Sequence, residues 1–83
     1  MNSQQIKEYV KATAITLGGD YSLTQNGVPR IIMKGYGMNV SLVYSYRSNK
    51  WKAFYPFPSN KQKRVYFEDF RDMTKFLREK GYI

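Results

Sequence analysis

The sequence predicts one small α+β domain covering residues 1–83, with the element order α-β-β-β-β(-β)-α. We expect an antiparallel sheet with both helices packed on one of its faces. Helical spacing of apolar residues occurs only near the two ends of the chain. Between the ends, short stretches alternate apolar and polar residues and are separated by glycine, proline and asparagine. A chain of 83 residues has room for one core, which limits it to a single domain.

The first helix is predicted at residues 3–17, where apolar residues recur every three or four positions. Asn2 and Gln5 have the spacing of a capping box, in which each side chain accepts a hydrogen bond from the other residue's backbone. Gly18 and Gly19 follow the last apolar position and predict the end of the helix, because glycine readily adopts the left-handed conformation found there.

Two strands are predicted at residues 21–24 and 28–34. The dipeptide Asn26-Gly27 lies between them, and it is the strongest short hairpin signal in the chain. We therefore expect these strands to pair as the first hairpin of the sheet.

A longer strand is predicted at residues 38–47, where Val43 alone interrupts the alternation of apolar and polar residues. A two-residue turn at Ser48-Asn49 would pair Tyr46 with Trp51 in the next strand. This register separates an aromatic face of the hairpin from a cationic face. The aromatic face would hold Tyr44, Tyr46, Trp51, Ala53 and Tyr55, and the cationic face Ser45, Arg47, Lys50 and Lys52.

The last part of the chain predicts a basic loop at 61–64, a short strand at 64–67 and a helix at 68–80. Glu68 and Asp69 are expected in the first turn of this helix, where the helix dipole favours negative charge.

The composition excludes several classes of function. With no cysteine and no histidine, the chain has no disulfides, no thiolate metal ligands and no imidazole general base. None of the six acidic residues is placed to activate a nucleophile, so we expect no enzymatic activity, no metal and no cofactor. No apolar run approaches the ~20 residues of a membrane span, and the N-terminus does not resemble a signal peptide. We expect a cytoplasmic protein that does not bind membranes.

The net charge of +8 lies entirely in the middle of the chain. Residues 21–67 contain eight lysines and arginines and no acidic residue, whereas residues 1–20 and 68–83 each sum to zero. Cations clustered on an exposed sheet face repel one another unless an anion binds there. We therefore expect a nucleic acid to bind, with DNA favoured over RNA. The candidate binding residues are Arg30, Lys34, Arg47, Lys50, Lys52, Phe54, Lys61, Lys63 and Arg64.

Aromatic residues are also abundant in this segment, and exposed rings can stack on unpaired bases. Tyr44, Tyr46 and Trp51 are expected to fill the core, whereas Tyr36 and Phe57 in loops and Phe54 on the basic face are better candidates for stacking. Because most rings are expected to point inward, the sequence favours duplex DNA over single strands.

Other interpretations of the basic segment remain open. The cations could only solubilise the sheet and protect its edges. The same face could dock on an acidic protein surface, as in a small phage-type inhibitor of a host nucleic-acid-handling or defence enzyme. The richness in Lys, Asn, Ile and Tyr is typical of AT-rich genomes, which favours a phage or mobile-element origin. The protein could be a monomer or a homodimer formed through an edge strand.

Residues 38–81 resemble the arm-site DNA-binding domain of phage-type tyrosine recombinases and the related plant AP2-type domain. The similar parts are 44–53, Lys63-Arg64 before Phe67, and the helix from Glu68. The resemblance implies a three-stranded sheet in the major groove, backed by one C-terminal helix. It also implies groove-facing roles for Arg47, Lys50, Lys52 and Arg64.

The α-β-β-β-α order also resembles the double-stranded-RNA-binding domain. That family has a lysine cluster where this sequence has Glu68-Asp69, and this departure argues against membership of that family.

Overall fold

Five antiparallel strands follow one another across the sheet in chain order, β1-β2-β3-β4-β5, and a helix lies at each end of the chain. A computed structural model describes residues 2–35, 38–45, 47–56 and 62–83. The predicted α+β class and element order are confirmed, including the optional fifth strand. The elements are α1 (Ser3–Leu17), β1 (Asp20–Leu23), β2 (Pro29–Lys34), β3 (Asn39–Ser45), β4 (Lys50–Pro56), β5 (Gln62–Phe67) and α2 (Phe70–Glu79).

Helix α1 has the predicted boundaries and caps. The Asn2 side chain accepts a hydrogen bond from the Gln5 backbone N–H at 2.9 Å, and the Gln5 side chain accepts one from the Asn2 backbone N–H at 2.9 Å. Gly18 ends the helix in the left-handed conformation, with φ 74°. Backbone N–H groups at the start of the helix are thus satisfied by two residues only three positions apart in the chain. This is why the sequence alone predicted where the helix begins.

Helix α2 begins two residues later than predicted. The Asp69 side chain accepts a hydrogen bond from the backbone N–H of Asp72, which makes Asp69 the N-cap and not a first-turn residue. Glu68 precedes the helix, and its carboxylate lies 2.9 Å from the Lys50 ammonium on β4. Because the backbone of Asp69 is extended, as is usual for a capping residue, the first helical residue is Phe70.

The predicted two-residue turn at Ser48-Asn49 is wrong. The observed register pairs Ser45 with Lys50 and Tyr44 with Trp51, so the connection is longer than two residues and includes residues 47–49. A two-residue turn of the common hairpin type needs a positive φ at both positions, and of the two only Asn49 has one, at 53°. The shift is by two residues, so it exchanges no side chain between the faces of the sheet.

The predicted last strand at 64–67 is present but begins two residues earlier, so the prediction of a loop is wrong for Gln62 and Lys63. Lys61 lies outside the described residues. Strand β4 extends to Pro56, which pairs with Gln62, and its backbone supplies partners for the whole of β5. Because successive side chains of a strand point to opposite faces, Lys63 and Arg64 are separated.

One buried cluster joins the helices to one side of the sheet, which we call the inner face. Helix α1 contributes Val10 and Ala14, and α2 contributes Met73 and Leu77. The sheet residues of this cluster define the inner face: Ile31, Met33, Val40, Leu42, Trp51, Ala53 and Phe67.

Aromatic contacts link each helix to the inner face. The Tyr9 ring of α1 lies 5.0 Å from that of Tyr44 and 5.8 Å from that of Trp51. The Phe76 ring of α2 lies 5.2 Å from that of Phe67. Each helix therefore packs against residues of the inner face.

Gly19 lies where the chain passes from α1 into β1, directly against the core. A Cβ at this position would come within 2.5 Å of the Met33 sulfur and 2.6 Å of the Ile31 Cγ2. We expect Gly19→Ala to lower the free energy of unfolding by about 1–3 kcal/mol, because the buried Ile31 side chain has little room to move. Urea unfolding followed by circular dichroism measures this, and an unchanged midpoint would contradict the packing described here.

Candidate functional site

The side of the sheet opposite the inner face carries most of the predicted binding residues, and we call it the outer face. The strand pairing assigns its residues, because alternate positions of each strand share a side. Arg30 and Lys34 come from β2, Lys50 and Lys52 from β4, and Arg64 from β5. The structure thus brings together cations that are up to 34 residues apart in the chain, from Arg30 to Arg64.

Four residues of β4 and β5 form a compact aromatic–cation cluster: Lys52, Phe54, Arg64 and Tyr66. Lys52 pairs with Tyr66, and Phe54 pairs with Arg64. The Lys52 ammonium lies 5.4 Å from the centre of the Phe54 ring and 5.9 Å from that of Tyr66. The Arg64 guanidinium lies 5.6 Å from the centre of the Phe54 ring. Each ring therefore makes a cation–π contact with at least one of these cations.

The cluster is accessible to a ligand. Tyr66 is 61% exposed, and Arg64 is also exposed, whereas Lys52 and Phe54 are half-buried. Cation–π contacts at exposed positions are worth only about 0.5–1 kcal/mol. They do not account for two aromatic rings placed away from the core.

Tyr66 was missed by the sequence analysis. A signal was available, because residues 64–67 were expected to form a strand in which Phe67 is apolar and precedes the helix. If Phe67 points to the core, Tyr66 must point away from it. Only the register of β5 against β4 shows that Tyr66 lies beside Lys52.

Two acidic residues flank the outer face, although the segment between them in the chain contains none. Asp20 lies 3.6 Å from Lys34, and Glu68 lies 2.9 Å from Lys50. Ion pairs at such exposed positions contribute at most about 1 kcal/mol, but each carboxylate cancels part of the local positive potential.

Arg30, Lys52 and Arg64 have no carboxylate at ion-pair distance within the described part of the chain. The Arg30 Nε donates a hydrogen bond to the Ser22 hydroxyl at 3.1 Å. Ser22 is directly opposite Arg30 on β1, so this contact holds the guanidinium along the sheet surface. The uncompensated positive charge of the outer face is therefore carried by these three residues.

Arg47 lies apart from the strands, in the connection between β3 and β4. It lines an open groove of about 560 Å³ together with Lys52 and Val43. The start of α1 and the turn at Gly27 form the other wall. The groove thus extends the outer face beyond the end of the sheet.

Two further predicted residues do not join this surface. Lys63 is paired with Tyr55, and this register places it on the side of the inner face, at the edge strand β5. The expectation that it lies with Arg64 is corrected by the strand alternation. Lys61 is outside the described residues.

The rings of Tyr9, Tyr44 and Trp51 contact one another at the core, as predicted for Tyr44 and Trp51. Trp51 is 2% exposed, and its indole N–H donates a hydrogen bond to the Tyr9 hydroxyl at 3.3 Å. Burial, and to a lesser degree the neighbouring Tyr9 phenol, raise the pKa of Tyr44 above its ordinary value. The Tyr44 hydroxyl donates a hydrogen bond to the Asn49 side chain at 3.0 Å. Tyr36, Tyr46 and Phe57 lie outside the described residues.

No family model, no curated protein and no solved structure matches the chain. Strands β3 to β5 and α2 have the sheet-and-helix arrangement expected from the resemblance to the recombinase arm-site domain. Strands β1 and β2 extend that sheet to five strands, which neither this family nor the double-stranded-RNA-binding domain leads one to expect. Neither described helix is long and apolar enough to cross a lipid bilayer.

Proposed function

We propose that the protein is a non-enzymatic nucleic-acid-binding protein that contacts its ligand through the outer face of the sheet. The observation that carries this proposal is the grouping of Arg30, Lys52 and Arg64 on one accessible surface without acidic partners. Folding brings these like charges together, which is unfavourable in the free protein. A polyanion relieves that repulsion and releases its own condensed counterions on binding.

The three cations without acidic partners would contact phosphates directly. The two cations that are paired with carboxylates would contribute less to the binding free energy. Lys34 and Lys50 can reach a phosphate only by sharing or leaving Asp20 and Glu68. Arg47 continues the positive surface into the groove at the end of the sheet. The binding path therefore runs across β2, β4 and β5 and ends near the start of α1.

The aromatic rings beside the cations on the outer face favour nucleic acid over an acidic protein surface. Every nucleotide combines a phosphate with a flat base, whereas the carboxylates of an acidic protein surface are not accompanied by a flat ring at each position. Phe54 and Tyr66 lie within 6 Å of Lys52, so one ligand can engage a ring and a cation together.

Salt titration of the affinity tests the proposal. With three principal phosphate contacts, we expect a slope of log K against log salt concentration of about −2 to −3, since each contact contributes about −0.7 to −0.9. Binding of a labelled DNA strand, followed by fluorescence anisotropy, should weaken roughly 16- to 64-fold between ~50 and ~200 mM NaCl. A slope near zero, or no binding at ~50 mM, would overturn the proposal and favour the acidic-protein alternative.

A further inference from the structure

We propose that the preferred ligand is a single-stranded nucleic acid, with bases stacked on Tyr66 and Phe54 and phosphates held by Lys52 and Arg64. This inference rests on the proposed function and names its substrate class. It departs from the sequence-based preference for duplex DNA, which assumed that most of the rings point inward. The strand pairing places these two rings on the outer face.

The spacing of the two rings suits an extended strand. Tyr66 and Phe54 are diagonal neighbours on adjacent strands, a relation that separates side chains by roughly 7–8 Å. The rise between stacked bases along one strand is about 3.4 Å. Successive bases must therefore be splayed apart to use both rings, which a single strand allows and an intact duplex does not.

The cations beside the rings do not block stacking. An exposed cation–π contact changes an equilibrium constant by roughly 2- to 5-fold, whereas stacking of a base on an aromatic ring changes it by about 5- to 150-fold. A base that stacks on Tyr66 can therefore displace the Lys52 ammonium from its position over the ring. The displaced ammonium remains close enough to bind the phosphate of the same nucleotide, because it starts 5.9 Å from the ring centre.

The width of the sheet argues against a duplex ligand. Five strands spaced about 4.8 Å apart span roughly 19 Å, whereas the major groove is about 12 Å wide. About three strands, roughly 10 Å across, would fit that groove, but the five-stranded outer face as a whole would not. A duplex that met the whole face would do so through its phosphates, and the rings would gain nothing from that contact.

An abasic strand separates stacking from charge, because it has the phosphates without the bases. The probes are fluorescein-labelled oligothymidylate of about 20 nucleotides, an abasic strand and a duplex of equal length, and the matching oligouridylate RNA. We expect the wild-type protein to bind oligothymidylate at least about 5-fold more tightly than the abasic strand, and also more tightly than the duplex. Tighter binding of oligouridylate than of oligothymidylate would indicate an RNA ligand, and the reverse order would indicate a DNA ligand. Either result supports the inference.

Removal of the Tyr66 ring should abolish this preference for bases. We expect Tyr66→Ala to weaken oligothymidylate binding about 5- to 100-fold and to change abasic-strand binding by less than about twofold. Tyr66→Phe should retain the affinity, because it retains the ring. Phe54→Ala should produce the same selective loss, and Phe70→Ala, which removes an exposed ring of α2, should not.

The possible failures are distinguishable. Equal, salt-dependent binding of the abasic strand and oligothymidylate would overturn the stacking inference and leave the proposed function intact. Tighter binding of the duplex would also overturn the inference alone. No binding of any probe would overturn both. Circular dichroism melting shows whether each variant folds. If Tyr66→Ala does not fold, Phe54→Ala provides the second variant that removes a ring of the cluster.

Discussion

Reversing the charges of Lys52 and Arg64 together should weaken nucleic-acid binding by about 100-fold or more at ~0.1 M salt. Each lost phosphate contact costs roughly 5- to 8-fold under these conditions, because the counterion-release slope is about 0.7–0.9 per contact. Two lost contacts account for about 25- to 60-fold, and two added carboxylates repel the phosphates further. Anisotropy titration of Lys52→Glu with Arg64→Glu measures this loss.

A matched control is available on α2, whose exposed side lies away from the outer face. Arg71→Glu with Lys75→Glu replaces one arginine and one lysine, both exposed, and changes the net charge by the same amount. We expect only a few-fold loss from this control, through the long-range potential. Equal losses in the two double variants would show that total charge, and not the outer face, controls binding.

Lys52 and Arg64 are preferred over Lys50 for this experiment. The Lys50 ammonium lies 2.9 Å from the Glu68 carboxylate, so a glutamate at position 50 would place two like charges together beside the cap of α2. A loss of binding could then reflect local unfolding. Neither Lys52 nor Arg64 is fully buried, and reversing their charges leaves the core unchanged.

Leu42→Ala should have the largest effect on stability. Leu42 is fully buried in the central strand β3, where it lies between Ile31 and Ala53 in the paired strands. Truncation of such a leucine costs about 2–5 kcal/mol, through lost burial and the cavity left behind. A domain of this size has a total stability of roughly 4–12 kcal/mol, so a large fraction of it would be lost.

Urea unfolding at equilibrium tests this prediction. Ile15→Ala is the matched control, because Ile15 is 76% exposed on α1 and its truncation should change the free energy of unfolding by less than about 0.5 kcal/mol. The Leu42→Ala protein should still bind nucleic acid under conditions where it is folded, since Leu42 is on the inner face. Similar midpoints for the two variants would contradict the core described here.

The helices and the faces of the central strands were predictable from sequence because they depend on residues that are close in the chain. The capping box of Asn2 and Gln5 spans four residues, and the alternation in β3 and β4 repeats every two. The start of α2 was misjudged by two residues, because Glu68 and Asp69 are equally acidic. The contacts with Lys50 and Asp72 give them different roles.

The connection between β3 and β4 shows a second reason why the sequence pattern did not predict the whole structure. A register displaced by two residues keeps every side chain on its own face, so the hydrophobic pattern does not distinguish the two alternatives. The backbone does distinguish them, because Asn49 alone of the turn residues 48 and 49 adopts a positive φ.

The α+β class and the concentration of positive charge in residues 21–67 were predictable from the sequence, since both follow from residue type and local period. Which of these charges lie on one surface depends on the tertiary structure. Pairing of β5 with β4 sends Lys63 to one face and Arg64 to the other, and it places Tyr66 beside Lys52. Folding also brings Asp20 and Glu68 to the margin of the outer face. These relations depend on the register between strands, and no period along the chain encodes it.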